Sequence, residues 1–211
     1  MFIDNKKKII FVHNPKAAGS AIHVLLKDLY ELEGEDRADP EPHIHHRTYQ
    51  QILDVDPAYE EYYSFAAVRN PWARLLSGYL DFTQNRKHVY SGKIKYDNPL
   101  LSEYEDYKDF VMNFDQGPWI EDVHFLPQHV YTHADNRSVD MLLRTENLTS
   151  DIHTLMIKLG FKYYQQYFAS RPVHRTTKHG DYTEYYDDES AAKVASLYAK
   201  DIELFGYKYG E

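Results

Sequence analysis

Lys16, Gly19 and Ser20 stand in the string Asn14-Pro15-Lys16-Ala17-Ala18-Gly19-Ser20, whose members are small or turn-forming apart from the lysine. A lysine among small residues sets a full positive charge beside exposed main-chain N–H groups, the composition of a site for phosphate or sulfate. A second pair of suitable groups is Arg69 and Ser77. A guanidinium with a hydroxyl suits a phosphate monoester, provided that the two side chains reach the same anion. The third kind of group is histidine, of which the chain has 12. Histidine titrates near neutrality and can take a proton from a hydroxyl under attack. His43, His45 and His46 cluster, and His124 stands apart. Neighbouring histidines on a loop without a partnered carboxylate pattern are weak evidence for a metal site.

These groups need elements to hold them. Ile9 to Val12 is an apolar run with a β-branched majority, as in a strand buried on both faces. From Ile22 the apolar positions fall at Ile22, Leu25, Leu26 and Leu29, the spacing of one helix face. Strand, tight loop and helix in that order aim main-chain N–H groups and a positive helix end at one point. The ordinary alternative is a βα turn with one exposed lysine.

Tyr63 to Val68 reads as a second buried strand, with Arg69 at its carboxyl end, where open α/β sheets bind ligands. Asn70-Pro71 starts a helix with Trp72, Leu75, Leu76 and Tyr79 on one face, which places Ser77 two turns in. The ordinary alternative pairs Arg69 with a carboxylate and leaves Ser77 on a helix surface. A short helix through Ile52 stops near Asp56-Pro57, and Asp106 to Phe114 is helical. Ser138 to Arg144 is expected as a third strand. A helix capped near Thr149 or Ser150 follows, with Gly160 as its stop. The last helix begins at Asp187 or Asp188 and turns Val194, Leu197, Tyr198, Ile202 and Phe205 inward. Residues 31–42 read as an acidic surface loop, 85–101 as a loop or mobile lid, and 169–181 as a basic loop. Strands alternating with helices argue an α/β fold, a parallel sheet flanked by helices in one domain over residues 1–211.

Composition narrows the partners. Lys+Arg 24 against Asp+Glu 33 gives a net charge of −9, which disfavours nucleic acid. The chain has no cysteine, so thiol chemistry is excluded. No apolar run reaches a membrane-spanning length and Met1 to Lys8 lacks a signal-peptide core, so no membrane anchor is expected. Twenty tyrosines can pack a core and also line a site that stacks sugars or purines.

His13 to Ser20 after a strand, with Phe65 to Tyr79 (FAAVRNPWARLLSGY) further on, resembles the sulfotransferases of the carbohydrate (Golgi-type, family 2) superfamily and their bacterial relatives. Arg144-Thr145-Glu146-Asn147-Leu148 looks like the family's Arg-x-Glu-Asn-Leu segment, and Pro127-Gln128 matches a frequent Pro-Gln element. The run from Asp181 to Tyr207 is similar to the C-terminal helix of the bacterial members. These segments cover most of the chain in the family's order.

The resemblance implies a P-loop-NTPase-like sulfotransferase fold and 3′-phosphoadenosine 5′-phosphosulfate as donor, without a metal. By position, Pro15, Lys16, Ala17, Ala18, Gly19 and Ser20 would hold the 5′-phosphosulfate, with Lys16 neutralising the bridging oxygen as it leaves. Arg69 and Ser77 would bind the 3′-phosphate, and Arg175 and Lys178 would lie near the nucleotide. His46, in His46-Arg47-Thr48-Tyr49, resembles the family's catalytic base, and His124 is the second choice. Ala17 and Ala21 stand where the family more often has hydroxyl residues, so two side-chain donors are missing. The acceptor would be a small molecule or a saccharide hydroxyl. A bacterial-type cytoplasmic enzyme is the first expectation for location, and an excised lumenal domain of a Golgi enzyme the second.

Two rivals remain. A P-loop kinase needs G-x-x-x-x-G-K-[ST], with lysine after the second glycine, whereas Lys16 precedes Gly19. A non-catalytic binder of 3′,5′-adenosine bisphosphate would keep the fold without turnover, and the presence of Lys16, Arg69 and Ser77 argues against it.

Overall fold

Ile9-Ile10-Phe11-Val12 forms a strand whose every residue is buried, as its unbroken apolar run requires. The computed structural model describes residues 1–32, 46–85, 103–162, 164–165 and 180–211. Its residues group into two units, Met1–Arg69 with Gln128–Arg175, and Asn70–Pro127 with Thr176–Glu211.

The first unit carries a four-stranded sheet. Strand β1 is Phe2–Asp4, β2 is Ile9–Val12, β3 is Tyr63–Val68 and, after two strands described below, β6 is Met141–Arg144. The order is β1-β2-β3-β6; β1 is antiparallel to β2, while β2, β3 and β6 run parallel. Val12 lies opposite Ala66, and Val68 opposite Arg144, so the carboxyl ends of the three parallel strands share one edge. Helix α1, Gly19–Leu32, buries Ile22, Leu25, Leu26 and Leu29 completely against one sheet face. The helix at Leu148–Leu159 adds Ile152, Leu155 and Met156 to the same core. Helix α2, Tyr49–Leu53, packs on the short helix His129–Thr132, which packs on β3. This is the mixed α/β architecture with a mainly parallel, helix-flanked sheet.

Several elements differ from expectation. Ser138 to Arg144 is not one strand: β4 (His133–Ala134) and β5 (Arg137–Ser138) form a small hairpin, and β6 begins only at Met141. Asp140 explains the break, because its carboxylate accepts from Ser64 N–H at 2.7 Å and Ser64 Oγ at 2.8 Å. A side chain there substitutes for a ladder bond. The helix expected to be capped at Thr149 or Ser150 starts at Leu148 behind Asn147, which makes no side-chain cap bond. Its stop is as expected, with Gly160 left-handed at φ 72°. Strand β1 has no periodicity long enough to read. It is fixed by Asp4, whose carboxylate accepts from Lys6 N–H, Lys7 N–H and the Tyr30 hydroxyl.

The second unit is helical. Helix α3, Pro71–Leu80, is capped by Asn70, and the helix at Tyr107–Met112 by Asp106. The last helix is two: Asp188–Leu197, capped by Asp187 in a capping box with Ser190, and Ala199–Phe205, with Tyr198 between them. Tyr198 is buried and its hydroxyl donates to Phe125 O at 2.8 Å, which holds the break in place. Trp72, Leu75, Leu76, Phe110, Phe114, Trp119, Phe125 and Val194 form the core.

Candidate functional site

The loop between β2 and α1 turns sharply, with Asn14 N–H donating back to Val12 O at 3.1 Å. Lys16 and Ala18 have φ of 65° and 58°, while Ala17 and Gly19 are not in the positive region. With proline's fixed negative φ at position 15, the sign alternates from Pro15 to Gly19. Alternation of this kind curls successive N–H groups into one concave array, a nest for an anion. Left-handed backbone at a residue with a Cβ costs about 1–2 kcal/mol, and two such residues fall within three positions here. Ala21 N–H and Ile22 N–H donate to Ala18 O at 3.0 and 3.1 Å. Among the described residues no acceptor meets the N–H groups of Ala17, Ala18, Gly19 or Ser20. Helix α1 has 14 residues and no acidic residue in its first turn, so nothing in its own sequence neutralises its positive end. Lys16 is half-buried in this loop, and Ser20 is exposed at the helix start.

His13, directly before the loop, stacks on Phe11 with ring centroids 6.0 Å apart. Its edge meets the ring of His46 at 4.8 Å and 77°. His46 is thus at the loop, brought there by the segment that follows it. Thr48 caps α2 and Gln51 returns the bond, closing a capping box. Buried Tyr49 hydrogen bonds Ser64 of β3 at 3.1 Å, and Ser64 is bound to Asp140.

Arg69 follows β3 directly. Gln128 Oε1 accepts from Arg69 N–H at 2.9 Å, and Gln128 Nε2 donates to Arg69 O at 2.7 Å. Asn14 Nδ2 donates to Gln128 Oε1 at 3.0 Å and to Ala67 O at 2.9 Å. The loop entrance and the Arg69 backbone are therefore tied within the first unit.

Ser77 and His124 belong to the second unit. Ser77 is not the surface serine of the ordinary alternative: it is buried in α3. Asp122 Oδ1 lies 2.9 Å from His124 Nδ1 and accepts from His124 N–H at 2.8 Å. The ring also meets Phe82 edge-on at 5.2 Å. Buried Arg74 donates to His124 O at 3.2 Å, and Tyr198 holds the next carbonyl. Burial raises the Tyr198 phenol above its ordinary value and keeps it a donor. A carboxylate facing Nδ1 sets the tautomer of a histidine and the orientation of its ring. Arg175, Lys178, His43 and His45 lie outside the described residues, as does nearly all of the 85–101 segment.

Sequence reasoning passed over His13, Asn14 and Gln128 as site residues, and Asp122 as the partner of His124. His13 had a signal: it is the first residue past a fully buried strand. Asp122 had one in standing two residues before a candidate base. Gln128 had none beyond its Pro-Gln element, because burial of an amide is decided by tertiary contacts. Among the described residues no group of histidine and carboxylate side chains has metal-site geometry, and no helix is long and apolar enough to cross a membrane.

The family model described as the sulfotransferase family matches residues 1–208 of the 211. No curated protein and no solved structure gives a significant match.

Proposed function

This chain belongs to the sulfotransferase family, and from that premise we propose that it moves a sulfuryl group from 3′-phosphoadenosine 5′-phosphosulfate to an acceptor hydroxyl. The observation that carries this reading is the Pro15–Ser20 loop. It joins alternating φ, N–H groups from Ala17 to Ser20 that meet no acceptor among the described residues, a helix N-terminus with no acidic residue in its first turn, and Lys16, and it follows a central parallel strand. The missing hydroxyls at Ala17 and Ala21 are offset by main-chain donors, which suit a sulfate or phosphate equally well.

In the proposed step the acceptor oxygen attacks sulfur in line with the bridging oxygen of the 5′-phosphate. The new O–S bond forms as the old one breaks, and 3′,5′-adenosine bisphosphate leaves. Lys16 and the loop N–H groups stabilise the negative charge that grows on the leaving phosphate. The transferred group makes no bond to protein, so positioning and electrostatics carry the catalysis. His46 takes the acceptor's proton. Arg69 and Ser77 bind the 3′-phosphate, and Arg175 and Lys178 contribute to the nucleotide site. Arg69→Ala then weakens donor binding more than turnover.

A second reading of the base rests on the Asp122–His124 contact, which supports His124 as an oriented acceptor of the proton. A saccharide hydroxyl is the acceptor class proposed, supported by the abundance of tyrosine. The likeness of the C-terminal segment to bacterial members supports a bacterial-type, cytoplasmic enzyme. Calorimetry with 3′,5′-adenosine bisphosphate against ADP tests the donor. Preference for the bisphosphate supports a sulfotransferase, preference for ADP a kinase. Tight binding of the bisphosphate with no transfer of labelled sulfate to any acceptor leaves a binding protein.

A further inference from the structure

The sheet ladder ends before the residues that matter. Its last pairs are Val12 with Ala66 and Val68 with Arg144. Asn14 and Arg69 lie beyond those pairs, past the strand pairing among the described residues.

Two side-chain amides continue the ladder. Arg69 presents a main-chain donor and a main-chain acceptor, and Gln128 answers both, at 2.9 and 2.7 Å. A carboxamide carries both partners on one planar group, whereas a carboxylate has no donor and an aliphatic side chain has neither. Asn14 joins the same Oε1 at 3.0 Å, and its own orientation is set by Ala67 O, which can only accept. Each amide is therefore fixed by a main-chain group, and the assignments agree. Gln128 is 0% and Asn14 1% exposed, so water does not compete for these bonds.

We propose that Gln128 is a positioning residue for donor specificity: it holds the Arg69 backbone, through Asn14, at a fixed offset from the Lys16 loop. The proposal rests on the donor reading above. A donor with phosphate at both ends of its ribose is read by two anion sites at once, and it is the offset between them that distinguishes it from a nucleotide lacking the 3′-phosphate. Gln128 touches neither phosphate and acts through Arg69.

The test compares affinity for 3′,5′-adenosine bisphosphate with affinity for adenosine 5′-monophosphate by calorimetry, in the wild type, Gln128→Glu and Gln128→Leu. The wild type should prefer the bisphosphate by about tenfold or more, the worth of one charge-assisted contact. Both variants should lose most of that preference while their affinity for the monophosphate stays within about threefold of wild type. Gln128→Glu keeps the volume and serves if Gln128→Leu does not fold. A folded variant with the preference intact overturns the proposal. So does an equal fall in both affinities, which marks a merely structural role. A wild type without any preference overturns the donor reading instead.

Discussion

The imidazole of His13 lies against the α-carbon of Gly19 so closely that a Cβ there would sit 2.1 Å from His13 Cδ2. Gly19 is not in the left-handed region, so its glycine is required by the approach of this ring and not by its backbone. Gly19→Ala should destabilise the protein by about 1–3 kcal/mol, the range for forced overpacking. In a His13→Ala background most of that loss should vanish, because the colliding ring is gone. Urea denaturation of the four proteins in the cycle measures it, and equal losses in both backgrounds would refute the contact.

Ala17 and Ala18 are adjacent and chemically identical, yet their backbones differ in sign. Ala18→Gly relieves left-handed strain and should be neutral or stabilising by up to about 1 kcal/mol. Ala17→Gly, at a fully buried position without that strain, should destabilise by about 0.5–1 kcal/mol or more. Equal effects at the two positions would argue against the alternating loop.

The base is separable by pH profile. His46→Ala should lower kcat by about 10²-fold and remove the acidic limb of kcat/KM, whereas His124→Ala should leave that limb in place. The reverse pattern would assign the proton to His124 and its Asp122 partner.

Asp187 caps the helix at Asp188–Leu197, and its contact with Lys108, then its bonds from Ser190, hold its carboxyl well below the usual carboxylate range. Its folded value is depressed, so the stability it contributes is present above the unfolded pKa of about 3.9 and is lost as pH falls through the folded value. Asp187→Asn keeps a capping oxygen and removes the charge. The gap between wild-type and variant urea midpoints should be widest at neutral pH and narrow below about pH 4. A gap that is constant with pH would contradict the coupling.

The strands at Ile9–Val12 and Tyr63–Val68 and the apolar face of α1 were legible because each rests on local pattern: unbroken apolar runs, and the spacing of Ile22, Leu25, Leu26 and Leu29. The Asn70-Pro71 start and the Gly160 stop were legible because proline and glycine act through their own backbone. The break at Asp140 was not, because it depends on Ser64, far off in sequence. Lys16 could be singled out by charge and company, but the left-handed backbone at Lys16 and Ala18 could not, since neither residue type favours it. The amide tie from Asn14 through Gln128 to Arg69 was hidden for the same reason as the Asp140 break: the sequence does not reveal which buried polar groups meet.

The central claim is that the Lys16 loop stabilises the phosphate that departs from sulfur. Its most direct test is the initial rate of labelled sulfate transfer from 3′-phosphoadenosine 5′-phosphosulfate to a saccharide acceptor, in the wild type and in Lys16→Ala of equal thermal stability. The wild type should transfer sulfate, and the variant should lose about 10²-fold or more in kcat. Wild-type turnover in Lys16→Ala would contradict the claim.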